Sequence, residues 1–570
     1  MATFGERFLL GFTSPRSPYL ISEYIKVIEN NNMDGLPYNV EFQERFYDVL
    51  SREKVAGEVA GKAKNKAFAG RDKLTRMPQA LGFFIARPNR NFKITEAGKL
   101  LKDSSLFEDV LLHQMLKYQL PSPLHREGKS NEGYFRIKPF LELIRLVDRL
   151  GYLTYREFTI FGMSFTDYTK FEETVCAIKE YRIKRQEAKS RRESLRLFDY
   201  NVHYNLFIEL YKDIIDSGNL STRQTNTETV EEYAKKKISN WMDYADSIFR
   251  VLRASGLFVL TKGRSLSISP IRKSEVKYIL SNIKRDIEAI DMDRDEFDSY
   301  LSNPNIPRLL NDDRENIINS LNKLDIQSQN KDSIYELKSI INRKRIENRE
   351  AKVIEQKISL KKRSSEDIED ILEMFELISN KEIEPASMRP TFYEWNIWRA
   401  MTMINHGDIK GNFIVDDSGM PISTAGGGQS DIVCDYGDFY IGVEVTLSSG
   451  KKQYEMESEP VTRHIGEMQA RKTSFGIFIA DKLQDTVVNH FFTISHQNSK
   501  IYNGVVDIIP MDTKTFIEFF KKATQKDVKA EDLLTIHDYS RYHSKQMLIN
   551  DMTEVDWHKE VLKKALEVVS

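Results

Sequence analysis

The sequence is poor in cysteine: Cys176 and Cys434 are all that 570 residues hold. Neither falls into a metal-ligand spacing, which excludes zinc fingers and points to a reducing cytosol. Long apolar runs are missing as well. No stretch of about 18 apolar residues occurs, so no membrane span is expected. Near the N-terminus the apolar patch Phe8-Leu9-Leu10 is short and Glu6 stands beside Arg7, without a basic segment leading into an apolar core, so no signal peptide is expected. An excess of one charge is also absent. The formal net charge is −1, which argues against a protein that coats polyanions along its whole surface but leaves room for basic and acidic regions kept apart.

Hydrophobic residues make up 40 % of the chain and charged residues 30 %, enough for several packed cores under a charged surface. At about 150 residues per domain, the length predicts three or four domains.

The basic charge is concentrated. Between Arg52 and Lys99 there are 12 Lys and Arg against 4 acids. Helical periodicity covers 19–50, broken at Pro37. Lys62, Lys64, Lys66, Arg71, Lys73 and Arg76 precede a short helix with Leu74, Gln79 and Leu81. A strand, 82–86, follows, then a turn carrying Arg87 and Arg90, a strand at 92–94 and a capped helix opening at Thr95. This order of helix, strand, basic turn, strand is that of a winged helix, whose helix reads base edges and whose wing meets phosphates. The alternative is a solvated basic face on an ordinary helical domain.

A turn-rich segment, Pro121-Ser122-Pro123 and then 128–133, marks a boundary. An apolar helix face over 140–150 ends at Gly151. From Lys179 to Arg196 there are 8 basic residues, Lys184 and Arg185 among them, against 3 acids; a phosphate-contacting helix and a plain solvated one fit this run equally. A helix over 233–252, Gly256, and strands 257–260 and 266–268 around the turn Lys262-Gly263-Arg264 repeat the wing-like order. Residues 275–385 are charge-dense and helical, a linker or spacer.

The stretch 430–446, SDIVCDYGDFYIGVEVT, reads as a β-hairpin turning at Tyr436-Gly437-Asp438. Side chains alternate along a strand, so Asp431 and Glu444 come side by side at the open ends. Two converging carboxylates are costly unless a cation sits between them; the plain alternative is two surface acids. Cys434 reads as packing. Upstream, Thr391-Phe392-Tyr393-Glu394 has the spacing of a capping box, so Glu394 either caps a helix or offers a third acid. Gly426-Gly427-Gly428-Gln429 has no G-K-[ST] after it and is not a phosphate loop; it lets the backbone approach a ligand or frees the following strand. Beyond the hairpin come a helix through 457–468, strands at 475–480 and 505–510, and helices at 486–492 and 513–522. The order α-β-β-α-β-α-β suits a mixed sheet with helices on both faces.

That order, with its acid–hairpin–acid arrangement, resembles the PD-(D/E)xK nuclease core. More narrowly, the chain resembles the AlwI-like family of type IIS restriction and nicking endonucleases along nearly its whole length. The resemblance implies a multidomain α+β protein: winged-helix-like DNA-recognition lobes at 1–135 and 136–275, a helical linker at 276–385, and a nuclease domain at 386–570. It implies DNA contacts from the basic residues named above, Lys62 to Arg264. It matches Glu394, Asp431 and Glu444 to the family's acids, and Glu457 and His464 to an acid and a histidine on the next helix. Mg²⁺ is then held by Asp431, Glu444 and the Val445 carbonyl, and hydrolysis leaves 5′-phosphates. The usual lysine two positions after the second acid is Thr446 here, which has no useful pKa. The proton chemistry therefore passes to His464 or Glu457, with Lys451 and Lys452 as further substitutes.

The expected activity is cleavage of double-stranded DNA a fixed distance outside a short asymmetric site, in the bacterial cytoplasm. One active site cuts one strand, so a double-strand break needs a transient homodimer or a small catalytic partner subunit. The alternatives are a strand-specific nicking endonuclease, or a non-catalytic DNA-binding regulator with a degenerate nuclease domain.

Overall fold

The computed structural model describes residues 2–53, 55, 63–221, 226–261, 265–327, 332–404, 407–424, 428–550 and 552–570. The chain forms two compact units, Met1–Asn348 and Arg349–Ser570. It is a mixed α+β protein. No helix among the described residues is long and apolar enough to cross a membrane.

In the first unit, helices Leu20–Asn30 and Val40–Arg52 bury Tyr24, Ile25, Phe42 and Phe46 at helical spacing. Phe42 stacks on Phe92 at 4.8 Å between ring centroids. Helix Lys66–Thr75 starts at Asn65, whose side chain accepts from Phe68 N. The short strands Phe84–Ile85 and Lys93–Ile94 pair antiparallel, and Thr95 caps the next helix, accepting from Gly98 N at 3.1 Å. Further on, helix Pro139–Leu150 stops at Gly151, whose φ of +80° suits glycine. The chain then forms strand Leu153–Thr154, which pairs with Ser265–Ile268; that strand also pairs with Phe258–Thr261, all antiparallel. Helix Val230–Ala254 precedes this hairpin.

Within the stretch expected as a helical linker, 276–385, many of the charged residues up to 348 have partners inside the first unit. Lys338 pairs with Asp109 at 2.9 Å and with Asp312, and the Lys117 ammonium donates to the Leu301 and Asn303 carbonyls at 2.7 and 2.6 Å.

The second unit is built on a five-stranded mixed sheet. Its elements are α1 (Ser365–Ser379), α2 (Arg389–Ile404), β1 (Asp408–Gly411), β2 (Phe413–Val415), β3 (Pro421–Thr424), β4 (Ile432–Asp435), β5 (Tyr440–Thr446), α3 (Lys451–Gln469), β6 (Ser474–Ala480), α4 (Asp485–Ile494), β7 (Ile508–Asp512), α5 (Thr513–Ala523), α6 (Ala530–Ile549) and α7 (Glu554–Val568). The sheet order is β7-β6-β5-β4-β1; β5, β6 and β7 run parallel, while β4 is antiparallel to both neighbours. The apolar runs in β5 and β6 follow from this, since a parallel strand in the middle of a sheet is covered on both faces. On one face Phe478 and Ala480 pack with Val461 and Ile465 of α3 and with Val487 and Phe491 of α4. On the other, Phe475 and Ile477 meet Phe516, Phe519, Leu533, Ile536 and Ala565 from α5, α6 and α7.

Three sequence expectations need correction here. The segment 408–424 holds strand β1 and the hairpin β2–β3, none of which the sequence reading anticipated. The last strand lies at Ile508–Asp512, not 505–510. Helix α2 begins at Arg389, with Pro390 in its first turn, where a missing N–H costs nothing. Thr391 is therefore inside the helix and Glu394 has no capping duty.

Candidate active site

The hairpin places its acids by register. Ile432 faces Val443, and the pairing runs to Asp435 opposite Tyr440. Extended by one residue, it sets Asp431 opposite Glu444, although Asp431 itself lies just outside the strand. The turn is closed by Tyr436 N donating to Phe439 O at 3.1 Å and by Asp435, which accepts from Gly437 N at 2.9 Å. Asp431 Oδ2 accepts the Val445 N–H at 2.8 Å. The backbone at Val445, expected to offer its carbonyl to a metal, thus uses its N–H to fix the first acid.

Glu444 is buried at 6 % exposure and accepts from His464 Nδ1 at 2.9 Å. A carboxylate facing Nδ1 selects the tautomer protonated there and leaves Nε2 with a lone pair when the ring is neutral. Thr446, where the general nuclease motif would place lysine, donates its hydroxyl to Glu457 Oε1 at 2.8 Å and accepts from Ser448 N at 3.0 Å. It works as an anchor for the acid on α3, a role the sequence reading missed; its only signal was a hydroxyl-bearing residue at the end of a buried strand.

Three elements bring Glu394, Asp431, Glu444 and Glu457 together: α2, the hairpin and α3. Burial, followed by the charges of Asp431, Glu444 and Glu457, holds the Glu394 carboxyl well above its ordinary range. Burial, with Glu444 beside it, raises Asp431 in the same direction against the opposing hydrogen bond from Val445. Glu457 is raised by burial, countered by Thr446 and Ser448. Mutually raised carboxyls are the electrostatic condition that a hard divalent cation relieves, and an all-oxygen donor set suits Mg²⁺. Among the described residues no group of three or more His, Cys, Asp or Glu is closed around a common metal position.

The helix carrying Glu457 and His464 sits close to the sheet because of two glycines. Gly442 and Gly476 are register partners on β5 and β6. A Cβ on Gly442 would lie 2.4 Å from Ile465 Cδ1, and one on Gly476 would lie 3.0 Å from Ile465 Cγ1. Ile465, one residue after His464, fills the trough they leave and is fully buried. Isolated glycines inside strands are the sequence sign of such close approach. Lys451 is exposed and pairs with Glu455 at 3.2 Å; Lys452 is also exposed. Cys434 is buried, and burial raises its thiol.

Of the residues expected to meet DNA, Lys62, Lys262 and Arg264 lie outside the described residues, as do Gly426 and Gly427. Lys64 is exposed, Lys66 pairs with Asp48 at 2.7 Å, and Lys73 is half-buried. Arg71 lies over the Phe68 ring at 5.0 Å, and Arg76 bonds Asp72 at 2.7 Å. Gln79 accepts from Ala86 N at 3.0 Å. Arg87 pairs with Asp295, and with Asp298 at 3.2 Å; Arg90 pairs with Asp295 at 3.1 Å. Lys184 pairs with Glu180 at 2.6 Å and Arg185 with Asp199 at 2.8 Å. A cleft of about 890 Å³ is lined by Arg71, Arg76, Gln79 and Arg87 together with Arg294 and Tyr244.

The family described as AlwI restriction endonuclease matches residues 79–519. Among solved structures, the chain is similar to the small subunit, R.BspD6I2, of the heterodimeric restriction endonuclease R.BspD6I: 25 % identity over 35 % of this chain and 97 % of that one, TM-score 0.27. It is also similar to the BpuJ1 endonuclease binding domain, solved with pyrene- and phenanthrene-modified DNA: 15 % identity over 49 % of this chain and 90 % of that one, TM-score 0.28. No curated protein matches the chain.

Proposed function

Since this chain belongs to the AlwI restriction endonuclease family and is a type II restriction endonuclease, we propose that Glu394, Asp431 and Glu444 form its phosphodiester-cleaving centre, with Glu457 and His464 completing it. The observation that carries this reading is the set of mutually raised carboxyls gathered from three separate elements. Buried like charges are disfavoured in a fold unless they serve a site.

Asp431 and Glu444, with the Val445 carbonyl, would hold Mg²⁺. When bound, the ion supplies charge neutralisation at the phosphate and eases ionisation of water. The chain's own residues divide the remaining work. The Val445 N–H keeps Asp431 aimed at the centre. Glu444 orients the His464 ring through Nδ1, leaving Nε2 to take a proton from the attacking water. The water oxygen bonds to phosphorus as the P–O3′ bond breaks, giving a 5′-phosphate and a 3′-hydroxyl that takes its proton from solvent. Thr446 holds Glu457 in reserve beside this path.

The target is double-stranded DNA, read upstream of the cutting unit in the type IIS manner. A recognition lobe at 136–275 is supported by the helix–strand–helix–hairpin order, in which Leu153–Thr154 joins the later hairpin as a third strand, and one at 1–135 by the antiparallel pair Phe84–Ile85 and Lys93–Ile94 after helix Lys66–Thr75. Both orders agree with a winged-helix reading of the lobes. The stretch 276–385 connects them to the nuclease domain, 386–570. Each chain carries one cluster and cuts one strand, so a double-strand break requires a second copy or a catalytic partner subunit; without one the enzyme nicks.

Incubation of supercoiled plasmids with Mg²⁺, followed by run-off sequencing, tests this reading. Wild type should relax or linearise DNA at one site and Asp431→Ala should leave it intact. An Asp431→Ala variant that cuts like wild type overturns the assignment.

A further inference from the structure

Beside the carboxylate cluster the second unit has a cavity of about 230 Å³. Its lining includes His464, which bonds Glu444, and Ser430, which precedes Asp431. The two sites therefore share a wall. The volume admits a phosphate with part of its sugar and excludes a base pair.

The charges around it are unevenly matched. Three acids line the cavity, and two of them have a close basic partner that is not part of the lining. Asp408 bonds Lys357 at 2.7 Å and Asp435 bonds Lys472 at 3.1 Å, while Glu467 lies 3.6 Å from Arg463, which is also 3.5 Å from Glu459. Two cations complete the lining. Lys410, whose side chain is 71 % exposed, has only a longer contact of 3.2 Å to the already paired Asp408. Arg471 is exposed, and its guanidinium has no partner among the described residues. Gln429 adds a polar group, held by its amide donating to Asn412 Oδ1 at 2.9 Å. An unpartnered guanidinium beside a lightly held ammonium can receive an anion, and a planar guanidinium suits phosphate oxygens.

We propose that this cavity binds the phosphate neighbouring the scissile one on the strand being cut, with Arg471 and Lys410 as positioning residues. The proposal rests on the catalytic reading above, because only a strand laid across the carboxylates reaches the cavity. Holding the adjacent phosphate fixes the reacting one along the line of attack, an orientation effect that registers in turnover more than in overall affinity. Overall affinity for DNA resides in the recognition lobes.

The test uses the full-length enzyme and a duplex containing its mapped cleavage position. Arg471→Ala and Lys410→Ala should each slow single-turnover cleavage roughly ten- to a hundredfold, the worth of a charge-assisted hydrogen bond. Binding to the same duplex in EDTA should weaken by a much smaller factor. Arg471→Lys should recover part of the rate. A charge-neutral methylphosphonate at one phosphate flanking the scissile bond should slow wild type by a similar factor and slow Arg471→Ala no further. If both alanine variants cut at the wild-type rate while Asp431→Ala is inactive, the phosphate pocket is overturned and the catalytic reading stands. If the methylphosphonate slows wild type and Arg471→Ala by equal factors at both flanking positions, the pocket is likewise overturned. A wild-type enzyme that cuts no DNA overturns both.

Discussion

Replacing Gly442 by alanine is a severe test of how the site is held, because it touches none of the acids. The new Cβ would lie 2.4 Å from Ile465 Cδ1, 2.8 Å from Ser430 Oγ and 3.0 Å from Met468 Sδ, where carbon contacts normally begin at about 3.5–4.0 Å. All three are side-chain atoms, so the question is whether they can yield. Ile465 is fully buried, its χ1 is restricted in a helix, and its other side meets Gly476 on the next strand. Helix α3 must therefore move outward. Overpacking of this kind costs about 1–3 kcal/mol, which lowers the melting temperature by about 2–4 °C per kcal/mol in a unit of this size. The displaced helix carries both Glu457 and His464, and a shift near 1 Å costs on the order of a hundredfold in rate. Thermal melting and single-turnover plasmid cleavage measure the two effects. Ile465→Val removes the closest atom; alone it should cost about 0.5–1.5 kcal/mol, yet in the Gly442→Ala background it should restore stability and rate. If Gly442→Ala melts and cuts like wild type, the trough is not what seats the helix.

Other perturbations follow from the same geometry. Glu394 has a raised carboxyl, so the folded state holds a proton that the unfolded chain releases at about pH 4. Its contribution is therefore present below that pH and lost as pH rises through the folded value. Metal-free Glu394→Gln should then match wild type near pH 4, become the more stable of the two toward pH 8, and cut no DNA; melts in EDTA that show wild type gaining on the variant with rising pH would contradict this. Thr446→Val removes the 2.8 Å bond to Glu457 and should cost about 1 kcal/mol along with activity, whereas Thr446→Ser should keep both; equal rates for the two variants refute the anchor. Arg185 bonds the buried Asp199, which also accepts from Tyr181 at 2.6 Å. Arg185→Ala should therefore lower stability by about 1–3 kcal/mol, while Arg71→Ala should weaken DNA binding without shifting the melt; the reverse pattern in melts and gel shifts would exchange their roles.

The hairpin was legible because its signals are local: period-two alternation, a glycine turn, and a register that sets Asp431 against Glu444 whichever way the rest folds. Helix α3 followed from helical periodicity in the same way, although Pro460 lies inside it. The T-x-x-E spacing left the role of Glu394 open because a capping box and a helix interior look alike over four residues, and Pro390 was the better marker of where α2 begins. Strand β1 is four residues long and is fixed by pairing with β4, a contact that no window of sequence contains. The basic turn at Arg87 and Arg90 looked free of acids along the chain, but its partner Asp295 lies 208 residues from Arg87. Net charge over a window shows where cations are and is blind to what folds against them.

The edges of the sheet bear on how two cutting units could meet. Strand β7 is an outer strand, and Pro510 in it has no N–H to give; its carbonyl is already taken by His558 Nε2 at 2.9 Å. At the opposite edge, β1 spans only Asp408–Gly411 and bears the charged pair Asp408 and Lys410. Proline and charge on short outer strands block strand-by-strand addition of a foreign chain. Both edges therefore disfavour a second catalytic unit that would continue the sheet. Were two units to pair as proposed above, helical faces or the DNA itself would bring them together, and the spacing between two nicks would follow from the duplex and the docking of helices.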